Sequence, residues 1–123
     1  MAERVTYREF NEKVIKFSGL AIVDFYSDFC VPWKKILPVL SALEKEYQED
    51  IFITKVNVAY EMELVEEYQI RSTPTFLFFK NGKIVEQFSG VRKKEELEQI
   101  IESYREKRER KNENYSSRWN KRS

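Results

Sequence analysis

No histidine occurs in the 123 residues, and Cys30 is the only cysteine. Without histidine there is no Ser–His or Cys–His nucleophile pair and no histidine-ligated metal. One cysteine excludes an internal disulfide and any cysteine-cluster metal site. The three glycines, Gly19, Gly82 and Gly90, are too far apart to form a phosphate-cradling loop. No apolar run approaches the roughly 20 residues of a membrane span; the longest, GLAIVDFY (19–26), is interrupted by Asp24. The opening MAERVTYREF lacks the charged-then-apolar pattern of a secretory signal. Most enzyme classes are closed by these absences, which predict a chain with neither metal nor cofactor in a reducing, cytoplasmic location.

What is present suits one domain. The residues are 41% hydrophobic and 15% aromatic, ample for a single core at this length. The net charge of +1 hides an asymmetry. Residues 105–123 hold eight basic and three acidic side chains, which leaves the first 104 residues at −4. Apolar periodicity stops near Glu106. The expected division is a domain over 1–108 and a basic, flexible segment over 109–123. A basic end of this kind is most often simply solvated; only Tyr115 and Trp119 keep open contact with an anionic partner, and no nucleic-acid role is expected beyond it.

The elements follow from pattern. Thr6 and Glu9 form a capping box before Tyr7, Phe10, Val14 and Phe17 at helical spacing, and Ser18-Gly19 ends that helix. LAIVDFY (20–26) reads as a strand covered on both faces. Pro32 suits the first turn of the next helix, whose face carries Ile36, Leu40, Leu43 and Tyr47, and Pro38 within it predicts a kink. IFITKVNV (51–58) is a second central strand, and EMELVEEYQ (61–69) a short helix. TFLFF (75–79), Asn81-Gly82 and KIVEQF (83–88) make a hairpin with the favoured two-residue turn. A last helix begins near Lys93, with Leu97, Ile100, Ile101 and Tyr104 on one face. The order α-β-α-β-α-β-β-α predicts an α/β fold: a central mixed sheet flanked by helices, with parallel crossovers and an antiparallel edge.

Three segments, VDFYSDFCVPWKKILP, IRSTPTFLFFKNG and FSGV, stand in an order and spacing that resemble the thioredoxin family, up to about residue 105. The resemblance implies the thioredoxin-like fold. It makes Cys30 the attacking cysteine and Pro32 the proline of the active-site motif. Asp24 takes the place of the buried carboxylate beneath the site, and Lys55 that of the lysine beside it. Pro74 corresponds to the family's cis-proline, after Thr73, whose backbone meets a bound peptide. Gly90, with Val91, belongs to a loop facing the substrate. Three positions depart from the pattern: Val31 replaces a glycine, Phe29 replaces a tryptophan and keeps an aromatic beside the site, and Trp33 replaces the resolving cysteine.

Half of a dithiol site can still do the first step. Unpaired N–H groups and the dipole at a helix N-terminus favour a thiolate, which attacks a disulfide to give a mixed disulfide. An indole cannot attack that bond, so turnover needs an external thiol. The small space of the second cysteine would resist a large ring at about 1–3 kcal/mol, so Trp33 is expected to turn outward beside Cys30 and Pro74. Each assignment has a plainer competitor: Cys30 as a small core residue, Asp24 as a satisfied buried acid, Lys55 as a surface lysine.

Three readings follow. The first is a monothiol thiol–disulfide oxidoreductase acting on protein disulfides, recycled by an external thiol or a thioredoxin reductase. The second is a redox-silent protein-binding module, and the third a dithiol thioredoxin whose resolving cysteine has been substituted.

Overall fold

The structure, a computed structural model, describes residues 2–105; the expected boundary at 108 and the basic segment 109–123 lie outside the described residues. Five strands, β1 (Glu3–Arg4), β2 (Leu20–Tyr26), β3 (Ile51–Asn57), β4 (Thr75–Lys80) and β5 (Lys83–Ser89), form one sheet in the order β1-β3-β2-β4-β5. β3 runs parallel to β1 and to β2, whereas β4 is antiparallel to β2 and β5 antiparallel to β4. All seven residues of β2 are buried, as a strand with neighbours on both edges and helices on both faces requires.

Alternation along β2 divides the core into two layers. Leu20, Ile22 and Tyr26 pack with Ile36, Leu40 and Leu43 of α2 (Val31–Tyr47), and with Leu97 and Ile101 of α4 (Lys94–Tyr104). Ala21, Val23 and Phe25 meet Phe10 of α1 (Tyr7–Phe10) and Leu64 of α3 (Met62–Glu67) on the other face. Phe25, Phe76, Phe78 and Phe79 are essentially sealed from solvent; each such side chain contributes about 1.5–3 kcal/mol. The hairpin turns at Asn81 and Gly82, with φ of 53° and 79°, the pair of positive values a type I′ turn requires.

The family-like architecture is as expected, with two local differences. β1 precedes the first helix; its two polar residues carry no apolar alternation, so nothing in the pattern marks them. The first helix is a single α turn followed by a π-helical turn over Asn11–Ile15, closed by a hydrogen bond from Lys16 N to Asn11 O at 3.0 Å. Its capping box forms, with the Thr6 backbone N–H donating to Glu9 Oε1 at 3.1 Å. Gly19 then passes close beneath the chain: a Cβ there would lie 2.7 Å from the Asp50 carbonyl oxygen. No helix among the described residues is long and apolar enough to cross a membrane.

Candidate functional site

The chain leaves β2 at Tyr26 and turns through Ser27–Cys30, where Cys30 N donates to Ser27 O at 3.1 Å. Cys30 is the N-cap of α2. Its Sγ accepts from the Trp33 backbone N–H at 3.4 Å, as an N-cap side chain accepts from the third residue of a helix. Pro32 stands in the first turn, where its missing N–H costs nothing. No acidic residue occupies that turn, so the positive end of a 17-residue helix falls on the sulfur uncompensated.

Across from α2, the Thr73–Pro74 peptide is cis. The Cys30 thiol donates to the Thr73 carbonyl at 3.4 Å, so one sulfur sits between a donor and an acceptor of the main chain. Gly90 closes this side: its N–H donates to Pro74 O at 2.8 Å, and its φ of 87° is one that glycine adopts without strain. Cys30 is half-buried and unpaired with any other sulfur. Its chain neighbours Phe29 and Val31 are exposed apolar side chains, at 92% and 61%, and Val91, which follows Gly90, is 43% exposed.

Trp33 does not turn outward. It is buried, 7% exposed, within the core layer of α2 and α4, and this corrects the expectation from cysteine-sized space. Two features of β2 account for it. Tyr26 offers a flat ring on which the indole stacks, with centroids 4.2 Å apart and planes at 15°. Asp24, two residues earlier and so on the same face, accepts the indole Nε1–H at 2.5 Å through Oδ2. A buried carboxylate lacking a donor is expensive, and the indole supplies one without a charge.

Lys55 is the register partner of Asp24 on β3. Its Nζ lies 5.8 Å from the Trp33 ring centroid and 5.6 Å from that of Tyr26, so the ammonium faces both rings. Burial pushes the Asp24 carboxyl up to about 7, against the opposing pull of the Trp33 hydrogen bond and of Lys55. Its Oδ1 has no hydrogen-bond partner among the described residues.

The residues singled out in the sequence therefore fall into two groups. Cys30 meets Thr73 at the thiol, cis Pro74 follows Thr73, and Gly90 is bonded to Pro74; Phe29, Val31 and Pro32, next to Cys30 in the chain, and Val91, next to Gly90, are exposed. Asp24, Trp33 and Lys55 form a second, inner cluster. Two members were missed. Tyr26 completes the inner cluster, and its position two residues beyond Asp24 on a strand was a readable signal. Asn57, buried at the end of β3, donates to Asp28 at 3.3 Å and accepts from Ala59 N at 2.9 Å; it ties the loop before Cys30 to the sheet. Nothing in its strand pattern announced that.

A thioredoxin family profile matches residues 2–103. Thioredoxin from Porphyra purpurea is 34% identical over 101 residues, 82% of this chain and 94% of that one. Thioredoxin from Rickettsia bellii is 32% identical over 97 residues, 79% of this chain and 92% of that one. Thioredoxin-T from Drosophila melanogaster is 38% identical over 85 residues, 69% of this chain, which spans only 54% of that longer protein. With a profile match across nearly all the described residues and two thioredoxins covered almost end to end, this chain belongs to the thioredoxin family of thiol–disulfide oxidoreductases.

Proposed function

We propose that this chain is a monothiol thiol–disulfide oxidoreductase acting on protein disulfides. The observation that carries the reading is the placement of Cys30 Sγ: 3.4 Å from the Trp33 N–H at a helix N-terminus, with no second cysteine in the sequence. In the first step the Cys30 thiolate attacks one sulfur of a substrate disulfide. A Cys30–substrate disulfide forms, and the original bond breaks with its electron pair on the departing thiolate, which takes up a proton. In the second step an external thiolate attacks the substrate sulfur and Cys30 leaves as thiolate; that thiol supplies the reducing electrons. Either glutathione or another protein thiol has the required chemistry, and a thioredoxin reductase is a further source of electrons.

In this reading Thr73, Pro74, Gly90 and Val91 meet the substrate chain, and Phe29, Val31 and Pro32 supply the apolar floor beside the thiol. Asp24 and Lys55 act from behind, through Trp33. A reducing cytoplasmic compartment would keep Cys30 in its working state.

The test is to mix the protein with a disulfide substrate such as insulin, quench with acid and weigh the adducts. A one-to-one adduct on Cys30 that persists until glutathione is added is the expected result. A second reading, a redox-silent binding module, is favoured by one observation: the Asp24 carboxylate is engaged by the Trp33 indole. No adduct in the native state, with binding to the same substrate retained, would select it.

A further inference from the structure

Resting on the monothiol reading, we propose that the Trp33 indole is a positioning group for the Cys30 reaction: clamped by Asp24 and Tyr26, it holds the first turn of α2 so that the Trp33 backbone N–H stays on Cys30 Sγ. The first turn of any helix lacks intrahelical partners for its N–H groups and tends to fray. Here the turn has little to hold it. Pro32 has no N–H, and two bonds close the turn: Trp33 N to Cys30 Sγ at 3.4 Å, an ordinary length to a weak sulfur acceptor, and Lys34 N to Cys30 O, long for an oxygen acceptor at 3.4 Å.

The side chain of the same Trp33 is, by contrast, rigidly placed. It is hydrogen-bonded to Asp24 at 2.5 Å and stacked on Tyr26 at 4.2 Å, and both partners belong to the innermost strand of the sheet. The charged and titratable groups facing this clamp are Asp24 and Tyr26 on β2, Lys55 on β3, and Arg4 on β1, whose guanidinium interacts electrostatically with Tyr26. A continuous line of contacts thus runs from β2 through the indole to the helix turn and then to sulfur.

The N–H is needed twice. It stabilises the thiolate before attack on a disulfide. When an external thiolate attacks the substrate sulfur of the mixed disulfide, Cys30 departs as thiolate and the same N–H receives the returning charge. A residue that cannot resolve the mixed disulfide thus assists both its formation and its release.

The experiment compares wild type, Trp33→Phe, Asp24→Leu and the double variant, each checked for cooperative unfolding. Stopped-flow reaction of Cys30 with 5,5′-dithiobis(2-nitrobenzoate) is followed against pH. Each single variant should react about threefold more slowly at neutral pH, a loss within the range of helix-terminus stabilisation. Its pH profile should move up by about half a unit. The double variant should be no slower than either single one, because both break the same clamp. Unchanged rates and profiles, or effects that multiply, overturn the proposal.

A wild type that reacts with no disulfide at all overturns the monothiol reading and this one with it, an outcome distinct from a reactive wild type with indifferent variants. A second measurement needs no variant. The Trp33 backbone amide, followed by tryptophan-selective 15N labelling, should exchange with solvent at least about tenfold more slowly than an open amide. Exchange at the open rate shows an unheld turn and overturns the proposal.

Discussion

Trp33 and Asp24 are joined inside the protein by an indole-to-carboxylate hydrogen bond of 2.5 Å. The bond links the first turn of α2 to the central strand, and most of what can be tested about this site passes through it.

Loss of that donor should be felt as lost stability. Trp33→Phe keeps a ring against Tyr26 but leaves Asp24 Oδ2 without its partner, as Oδ1 already is among the described residues. Urea unfolding should show a loss of about 1–3 kcal/mol. A smaller change would indicate that the phenylalanine variant lets water reach the carboxyl.

The pH dependence of stability has a defined sign. Burial raises the folded-state Asp24 carboxyl to about 7, while in the unfolded chain it titrates near its ordinary value of about 4. Between these values the native protein holds a proton that the unfolded chain has released. The contribution is therefore full below about pH 4, falls as pH rises toward about 7, and levels off above it. Three units correspond to about 4 kcal/mol, and Asp24→Asn, which keeps an oxygen to accept the indole N–H, should abolish this slope. Denaturant unfolding of both proteins at several pH values reads the difference directly; identical slopes would assign the effect to other groups.

Restoring the second thiol should restore an activity and weaken the fold. Trp33→Cys supplies an internal nucleophile one helical turn from Cys30, so insulin reduction coupled to a thioredoxin reductase should appear. It also empties an indole-sized volume in the core, a change that typically costs about 3–5 kcal/mol. The pair of measurements is turnover and thermal melting. A stable but inert variant would place the defect at Val31 or Phe29.

Gly19 gives a test far from the thiol. Its missing Cβ leaves room for the Asp50 carbonyl, 2.7 Å from where that atom would lie, and a backbone carbonyl cannot swing aside like a flexible side chain. Gly19→Ala should therefore destabilise by about 1–3 kcal/mol, measured by denaturant midpoint, with Cys30 reactivity unaffected.

The strands and helices that carry the site were legible because their signals are local. β2 and β4 are apolar runs, Asn81-Gly82 marks the hairpin, and Pro32 marks the start of α2. The cis peptide before Pro74 followed from resemblance alone. β1 was invisible because two polar residues pair only when β3 is already in place. The direction of Trp33 is not legible in the motif, because its partners lie on β2. The expectation weighed the volume of a cysteine, but the ring's position is decided by Tyr26 as a stacking surface and Asp24 as an acceptor, two partners on another element. Such partners are a matter of the assembled sheet face, not of the motif.

The packing of Trp33 has a consequence for how this position changes over generations. The residue belongs at once to the apolar layer that includes Ile36, Leu40 and Phe76, and to the helix turn that presents Cys30. Selection therefore reads each substitution there twice, for the redox chemistry it permits and for the interior it fills. A single nucleotide change from tryptophan to cysteine would supply a second thiol and forfeit a large part of the interior in the same step. A second thiol at this position therefore calls for larger neighbours, at Ile36 for instance, to fill the space that the indole now occupies.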